Sequence, residues 1–127
     1  MISNQSPISS RRLEIERLQA LYRAFNAREI DAVLEHFAPD VVWPNGWEGG
    51  WIHGREAVRE YWLRQWNAID PTVEPAGFTL RPDGSLAVIV EQTLRELDGC
   101  LIARGRVVHA YRFSDGLVST MEIEEAP

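Results

Sequence analysis

The stretch from Ser85 to Glu124 constrains the fold of this chain more than any other part of the sequence. It reads as long β-rich runs interrupted only by turn signals, Asp98-Gly99 and Ser114-Asp115-Gly116, and Pro82-Asp83-Gly84 precedes it. The predicted strands cover 75–81, 85–97, 100–113 and 117–124, a consecutive antiparallel meander. A two-residue type I′ turn at Asp98-Gly99 sets Leu97 against Cys100, Gln92 against Gly105, Val90 against Val107 and Val88 against His109. Directly opposed residues share a face. One face therefore gathers Val88, Val90, Gln92, Leu94, Ala103, Val107, His109, Tyr111 and Phe113. The other gathers Glu91, Thr93, Arg95, Arg104, Arg106 and Arg112. The first is the core face. In the last hairpin, a two-residue loop would bury Glu122 and Glu124 unpaired, which is costly. A three-residue loop, Ser114-Asp115-Gly116 with glycine left-handed, is therefore expected. It turns Leu117, Met121 and Ile123 inward and sets His109 opposite Met121.

The first half of the chain is helical in pattern. Residues 1–8 are polar and read as a loose tail, leaving one domain over 9–127. Ser9 or Ser10 is placed to cap a first helix, in which Leu18, Leu21, Tyr22 and Phe25 form one apolar stripe. Ile30, Val33, Leu34 and Phe37 repeat the spacing in a short second helix that Pro39 ends. Val41-Val42-Trp43 reads as a short edge strand, and the glycine-rich stretch from Asn45 to Gly54 as a loop. A third helix spans about Arg55 to Ile69, closed by Pro71 and Pro75.

Composition excludes several classes. With 13 basic and 19 acidic side chains the chain carries a formal charge of −6 and shows no basic run, so it is not read as a nucleic-acid binder. The longest apolar stretch, Leu86 to Val90, is too short to cross a bilayer. The N-terminus lacks the apolar segment of a secretory signal. The single cysteine, Cys100, fits a reducing cytoplasm. His36, His53 and His109 have no metal-ligand spacing, and no phosphate-binding loop is present. Neither a metal nor a cofactor is expected.

Helix, short helix, edge strand, helix and four-stranded meander together resemble the NTF2-like (SnoaL-like, ketosteroid-isomerase-like) superfamily. The resemblance rests on the stretch from Leu21 to Asp40 as the first two helices, on His53 to Tyr61 as the loop and third helix, and on Tyr111 to Val118 as the last hairpin. It implies an α+β, cone-shaped fold in which a curved antiparallel sheet wraps around three N-terminal helices and encloses a pocket, often in a homodimer. The chemistry of ketosteroid isomerase does not carry over residue by residue. Its base falls on Asn45, its oxyanion-binding tyrosine on Leu21 with Tyr22 one step off and rotated away, and its protonated aspartate on His109. The positions remain, and both Asn45 and His109 are expected to face the cavity.

His109 is the single ionisable group on an otherwise apolar face, where desolvation would depress its pKa. It reads either as a general acid/base or as a core histidine bonded to a neighbour such as a tyrosine. All five tryptophans lie between Trp43 and Trp66, and could line a pocket for a flat apolar ligand or pack helix against sheet. Trp43, Tyr61, Trp62, Val90, Gln92 and Met121 are the expected substrate-contacting side chains, and Asn45 is paired with His109 as catalytic. The arginine-rich outer face reads as a salt-bridged surface or a dimer interface. The sequence thus points to a small apolar or aromatic ligand, bound by a cofactor-free acid–base isomerase, cyclase or dehydratase. The alternative is a non-catalytic binding or assembly module of the same fold.

Overall fold

The computed structural model describes residues 11–126, so the predicted tail and the serine caps lie outside it. Three helices, α1 (Arg12–Asn26), α2 (Ile30–Leu34) and α3 (Arg55–Ala68), accompany six strands. The strands are β1 (Phe37–Pro44), β2 (Trp51–His53), β3 (Asp70–Leu80), β4 (Leu86–Arg95), β5 (Leu101–Ser114) and β6 (Leu117–Glu125). They form one sheet in the order β2-β1-β6-β5-β4-β3. The meander is as expected, and β1 joins it by pairing parallel to β6. The stripe of α1 (Leu18, Leu21, Tyr22, Phe25) is buried against Val88, Val90, Tyr111 and Met121 of the sheet. Removing that apolar area from water is what holds helix to sheet.

Four local departures from the sequence reading have physical causes. The second helix stops at Leu34 and Phe37 opens β1, because Pro39 forces its predecessor into extended backbone. Pro39 is tolerated inside the strand because the β1–β6 register jumps between Phe37 and Val42, where no ladder N–H is needed. Trp51–His53, expected as loop, pairs with the end of β1. Strand β3 begins at Asp70, five residues earlier than expected, and runs along the sheet border with Pro71 and Pro75 inside it and a bulge between Pro75 and Gly77.

Both predicted hairpins differ in their turns. At the β4–β5 connection Gly99 alone is left-handed, and its N–H donates to Glu96 O while Glu96 N–H donates to Cys100 O. Glu96, not Leu97, therefore faces Cys100. A bulge past Arg95 restores the predicted register, so Val88 still opposes His109 and Gln92 opposes Gly105. At the β5–β6 connection the loop has two residues, Asp115 (φ 52°) and Gly116 (φ 80°). Ser114 pairs with Leu117, and a bulge then sets Tyr111 against Met121 and His109 against Ile123. Met121 still turns inward, as does Val118, while Leu117 is half-buried and Ile123 half-exposed. The unpaired burial of Glu122 and Glu124 is thus avoided by a bulge and not by a longer loop.

Polar latches fix the helices over the sheet. Gly54, at φ 88°, starts α3 in a conformation that favours glycine, and its N–H donates to Val41 O at 2.8 Å. The Arg55 guanidinium donates to Phe37 O. At the end of α1 the Asn26 amide mimics a strand: its Nδ2 donates to Val73 O at 2.7 Å and its Oδ1 accepts from Val73 N at 2.9 Å. Replacing Asn26 with Ala removes both partners of a half-buried backbone pair. We expect a loss of about 1–3 kcal/mol, read by urea unfolding. An unchanged midpoint would show that β3 does not depend on this latch.

Candidate functional site

A cavity of about 170 Å³ opens between α1, α3 and the concave side of the sheet. Each wall follows from the periodicity of its element. The α1 stripe contributes Leu21, Tyr22 and Phe25, and the inward positions of α3 contribute Tyr61, Trp62 and Gln65. Strands β4, β5 and β6 contribute Gln92 and Leu94, His109 and Tyr111, and Met121 and Ile123. Trp43 closes the side of β1, packed edge-on against Trp62 at 5.3 Å between ring centroids and against Phe37 at 4.9 Å. Trp47, 45% exposed, stands at the mouth with its ring against Tyr61. Among the described residues that line the cavity there is no Asp, Glu, Lys or Arg.

The polar centre of this wall is a buried chain of three side chains. Tyr22 Oη lies 2.8 Å from His109 Nδ1 and 2.8 Å from Tyr111 Oη. His109 is 7% exposed, and its Nε2 has no hydrogen-bond partner among the described residues. Burial holds the imidazole pKa down at about 4, because the charged form would lose its hydration with no anion beside it. Burial likewise raises Tyr22 and Tyr111 well above the usual phenol range, so both keep their protons.

Of the residues singled out in the sequence, Trp43, Tyr61, Trp62, Gln92, His109 and Met121 meet on this wall. Val90 is fully buried in the core and is not among the lining residues. Asn45 does not line the cavity either. Its Oδ1 accepts from Trp47 N at 3.0 Å and from Glu48 N at 2.9 Å, bracing the loop that carries Trp47. It borders an outer depression with Trp51 and Glu122, which shares Pro44, Gly46, Gln92 and Ile123 with the cavity. The Tyr61 hydroxyl accepts the Gly46 N–H at 3.1 Å, so it braces the same loop. Tyr22, which helical spacing rotates away from the expected tyrosine position, nevertheless lines the cavity and bonds His109. Its place on the apolar stripe of α1, opposite a strand bearing His109 and Tyr111, is the signal for it in the sequence.

The chain matches the family model of the SnoaL-like domain over residues 18–121. The protein therefore belongs to the SnoaL-like family, within the NTF2-like superfamily. Among solved structures it is similar to TerC co-crystallised with polyporic acid, at 26% identity and TM-score 0.77, covering 90% of this chain and 92% of that one. It is similar to an NTF2-like protein of Burkholderia pseudomallei, at 24% identity and TM-score 0.77, covering 90% and 91%. It is also similar to a Mycobacterium tuberculosis protein in complex with estradiol-17beta-hemisuccinate, at 24% identity and TM-score 0.73, covering 86% and 90%. A search of curated proteins gives no match. No helix among the described residues is long and apolar enough to cross a membrane.

The depressed His109 pKa sets a pH dependence. An unfolded histidine titrates near 6.5, so between pH 6.5 and 4 the unfolded chain binds a proton that the folded chain refuses. Stability is thus unaffected above pH 6.5 and falls as pH drops through that window, by up to about 3 kcal/mol. His109→Gln retains polar contact with Tyr22 and removes the titration. Urea unfolding at a series of pH values should show a shallower acid loss in this variant. Parallel profiles would contradict the burial of an uncharged imidazole.

Proposed function

We propose that the protein binds a small, hydrophobic, ring-bearing molecule in this cavity, with a carbonyl or hydroxyl oxygen of the ligand placed at His109. The observation that carries this reading is the unpartnered Nε2 of His109 on a wall whose other polar groups are tyrosine hydroxyls and the Gln65 and Gln92 amides, and which is otherwise tryptophan, phenylalanine and aliphatic side chains. A site of this composition favours apolar guests and orients them by few polar contacts. An apolar cavity of roughly 150 Å³ accepts benzene, so a space of about 170 Å³ encloses about one ring. Larger guests extend past Trp47 and Gln92 into the mouth. The crystal structure of TerC with polyporic acid supports a small organic ligand in a related fold.

A second reading adds turnover: acid–base isomerisation, cyclisation or dehydration of the same ligand, with no cofactor and His109 as the group that meets the reacting oxygen or proton. The feature favouring it is a titratable side chain held free of charge inside an apolar cavity. Magnitude limits it. A pKa of about 4 makes the imidazole a weak base at neutral pH, suited to acidic protons such as those flanked by two carbonyls.

Binding is tested by titrating ring ketones and phenols against tryptophan emission, since Trp43, Trp47 and Trp62 all touch the cavity. Gln92→Trp plugs the half-buried wall and should weaken the response at least tenfold while the far-UV spectrum is unchanged. The binding reading falls if no compound perturbs the emission, or if the plug leaves affinity intact. Turnover is tested separately by following exchange of the α-protons of a bound ketone in D₂O. His109→Ala should abolish catalysed exchange, and exchange that persists in the variant removes His109 from the reaction.

A further inference from the structure

The three hydroxyl and imidazole groups at the centre of the cavity wall hold three protons for two internal hydrogen bonds, and the place where the remaining proton can be accommodated assigns the tautomer of His109. Tyr111 is fully buried, and its hydroxyl has one hydrogen-bond partner among the described residues, Tyr22 Oη. Tyr22 Oη touches both Tyr111 Oη and His109 Nδ1. Each phenol carries one proton and can accept another. The chain therefore runs in one of two directions.

If His109 carries its proton on Nδ1, it donates to Tyr22 and Tyr22 donates to Tyr111. The proton of Tyr111 is then left with no acceptor among the described residues, on a side chain that is fully buried. A buried donor without a partner is expensive, and the penalty is greatest on Tyr111, the more deeply buried end of the chain. In the opposite direction Tyr111 donates to Tyr22, and Tyr22 donates to His109 Nδ1. One proton again has no protein acceptor, but it now sits on Nε2 of a ring that lines the cavity and is 7% exposed, where solvent or a guest can take it.

We propose that His109 stands in the resting protein as the Nε2–H tautomer and presents a hydrogen-bond donor to the cavity, with Tyr22 as the positioning residue that fixes it. The ligand class follows: a guest whose inward group is an oxygen acceptor, a ketone, quinone or enolate oxygen. A guest whose inward group is itself only a donor finds no acceptor on this ring. This deepens the functional reading above and rests on it for the ligand, though the tautomer itself stands without any ligand. In a reaction, His109 would polarise the ligand oxygen, and proton abstraction by its Nε2 would require the buried chain to reverse.

The tautomer is read directly by two-bond ¹H–¹⁵N correlation of the ligand-free protein with ¹⁵N-labelled histidine at pH 7. The expected result is a protonated, pyrrole-type Nε2 and a pyridine-type Nδ1 for His109. Tyr22→Phe removes the donor to Nδ1 and should produce a mixture of both tautomers. Tyr111→Phe leaves the Tyr22 donation in place and should preserve Nε2–H, so it serves as the folded control. A protonated Nδ1 in the parent protein, or a Tyr22→Phe spectrum identical to it, overturns the assignment. The ligand class is read by comparing 1-tetralone with tetralin, which share a ring frame and differ in the carbonyl. The ketone should bind about two- to tenfold more tightly, a preference lost in His109→Phe. Equal affinity for the two overturns the acceptor preference. If neither binds while Nε2 is protonated, the cavity reading fails and the tautomer stands.

Discussion

A bent antiparallel sheet leaves a concave face that water would otherwise fill, and most of this molecule follows from how that face is covered. The stripe of α1 is long enough to cover the deep end, where Leu18 is wholly buried beneath the helix. It does not cover the whole face, and beside it α3 contributes Tyr61 and Trp62. The space that neither helix fills is the cavity. It is therefore a product of one amphipathic helix meeting a sheet wider than itself, and large aromatic rings set how much of it stays open. Trp62 packs edge-on against Phe25 and Trp43, with centroids 5.2 and 5.3 Å away, fixing the wall without closing it.

Buried polar groups on such a wall need partners, from one another or from nearby backbone. Tyr22, Tyr111 and His109 achieve this with a single short chain. The arrangement stabilises an uncharged histidine, and it leaves one nitrogen over for a guest. In the proposed reading, folding and ligand recognition draw on the same three side chains.

Much of this is legible in the sequence. Period-two alternation and the turn residues place the meander, and the spacing of Leu18, Leu21, Tyr22 and Phe25 places the helix that covers it. His109 and Met121 lie on the inner face, where alternation puts them. The bulges are not legible. The residue opposite His109 is two positions away from the expected one because the loop has two residues and a bulge follows it. Strict alternation makes that loop look costly, since without the bulge it would turn Glu122 and Glu124 inward. Pro39 inside a strand is hidden for a similar reason: its tolerance depends on a register jump that exists only once β6 is beside it. Tyr22 is easily underrated because the inward arc of α1 is wide enough to carry neighbouring positions, so Leu21 and Tyr22 both reach the cavity. Asn45 is easily overrated because its amide is consumed by backbone N–H groups two and three residues ahead, a local competition that a face assignment does not reveal.

The two prolines and the bulge in β3 bear on how copies of this protein behave in a crowded solution. β3 is a border strand of eleven residues, and a straight border of that length would offer free N–H and C=O groups to any other extended chain. Pro71 and Pro75 each delete a donor from the row, and the extra residue between Pro75 and Gly77 kinks what is left. An incoming strand would find no continuous ladder there. The sheet is in this way guarded against growth by lateral addition, the route by which open β-structures pass into fibrils.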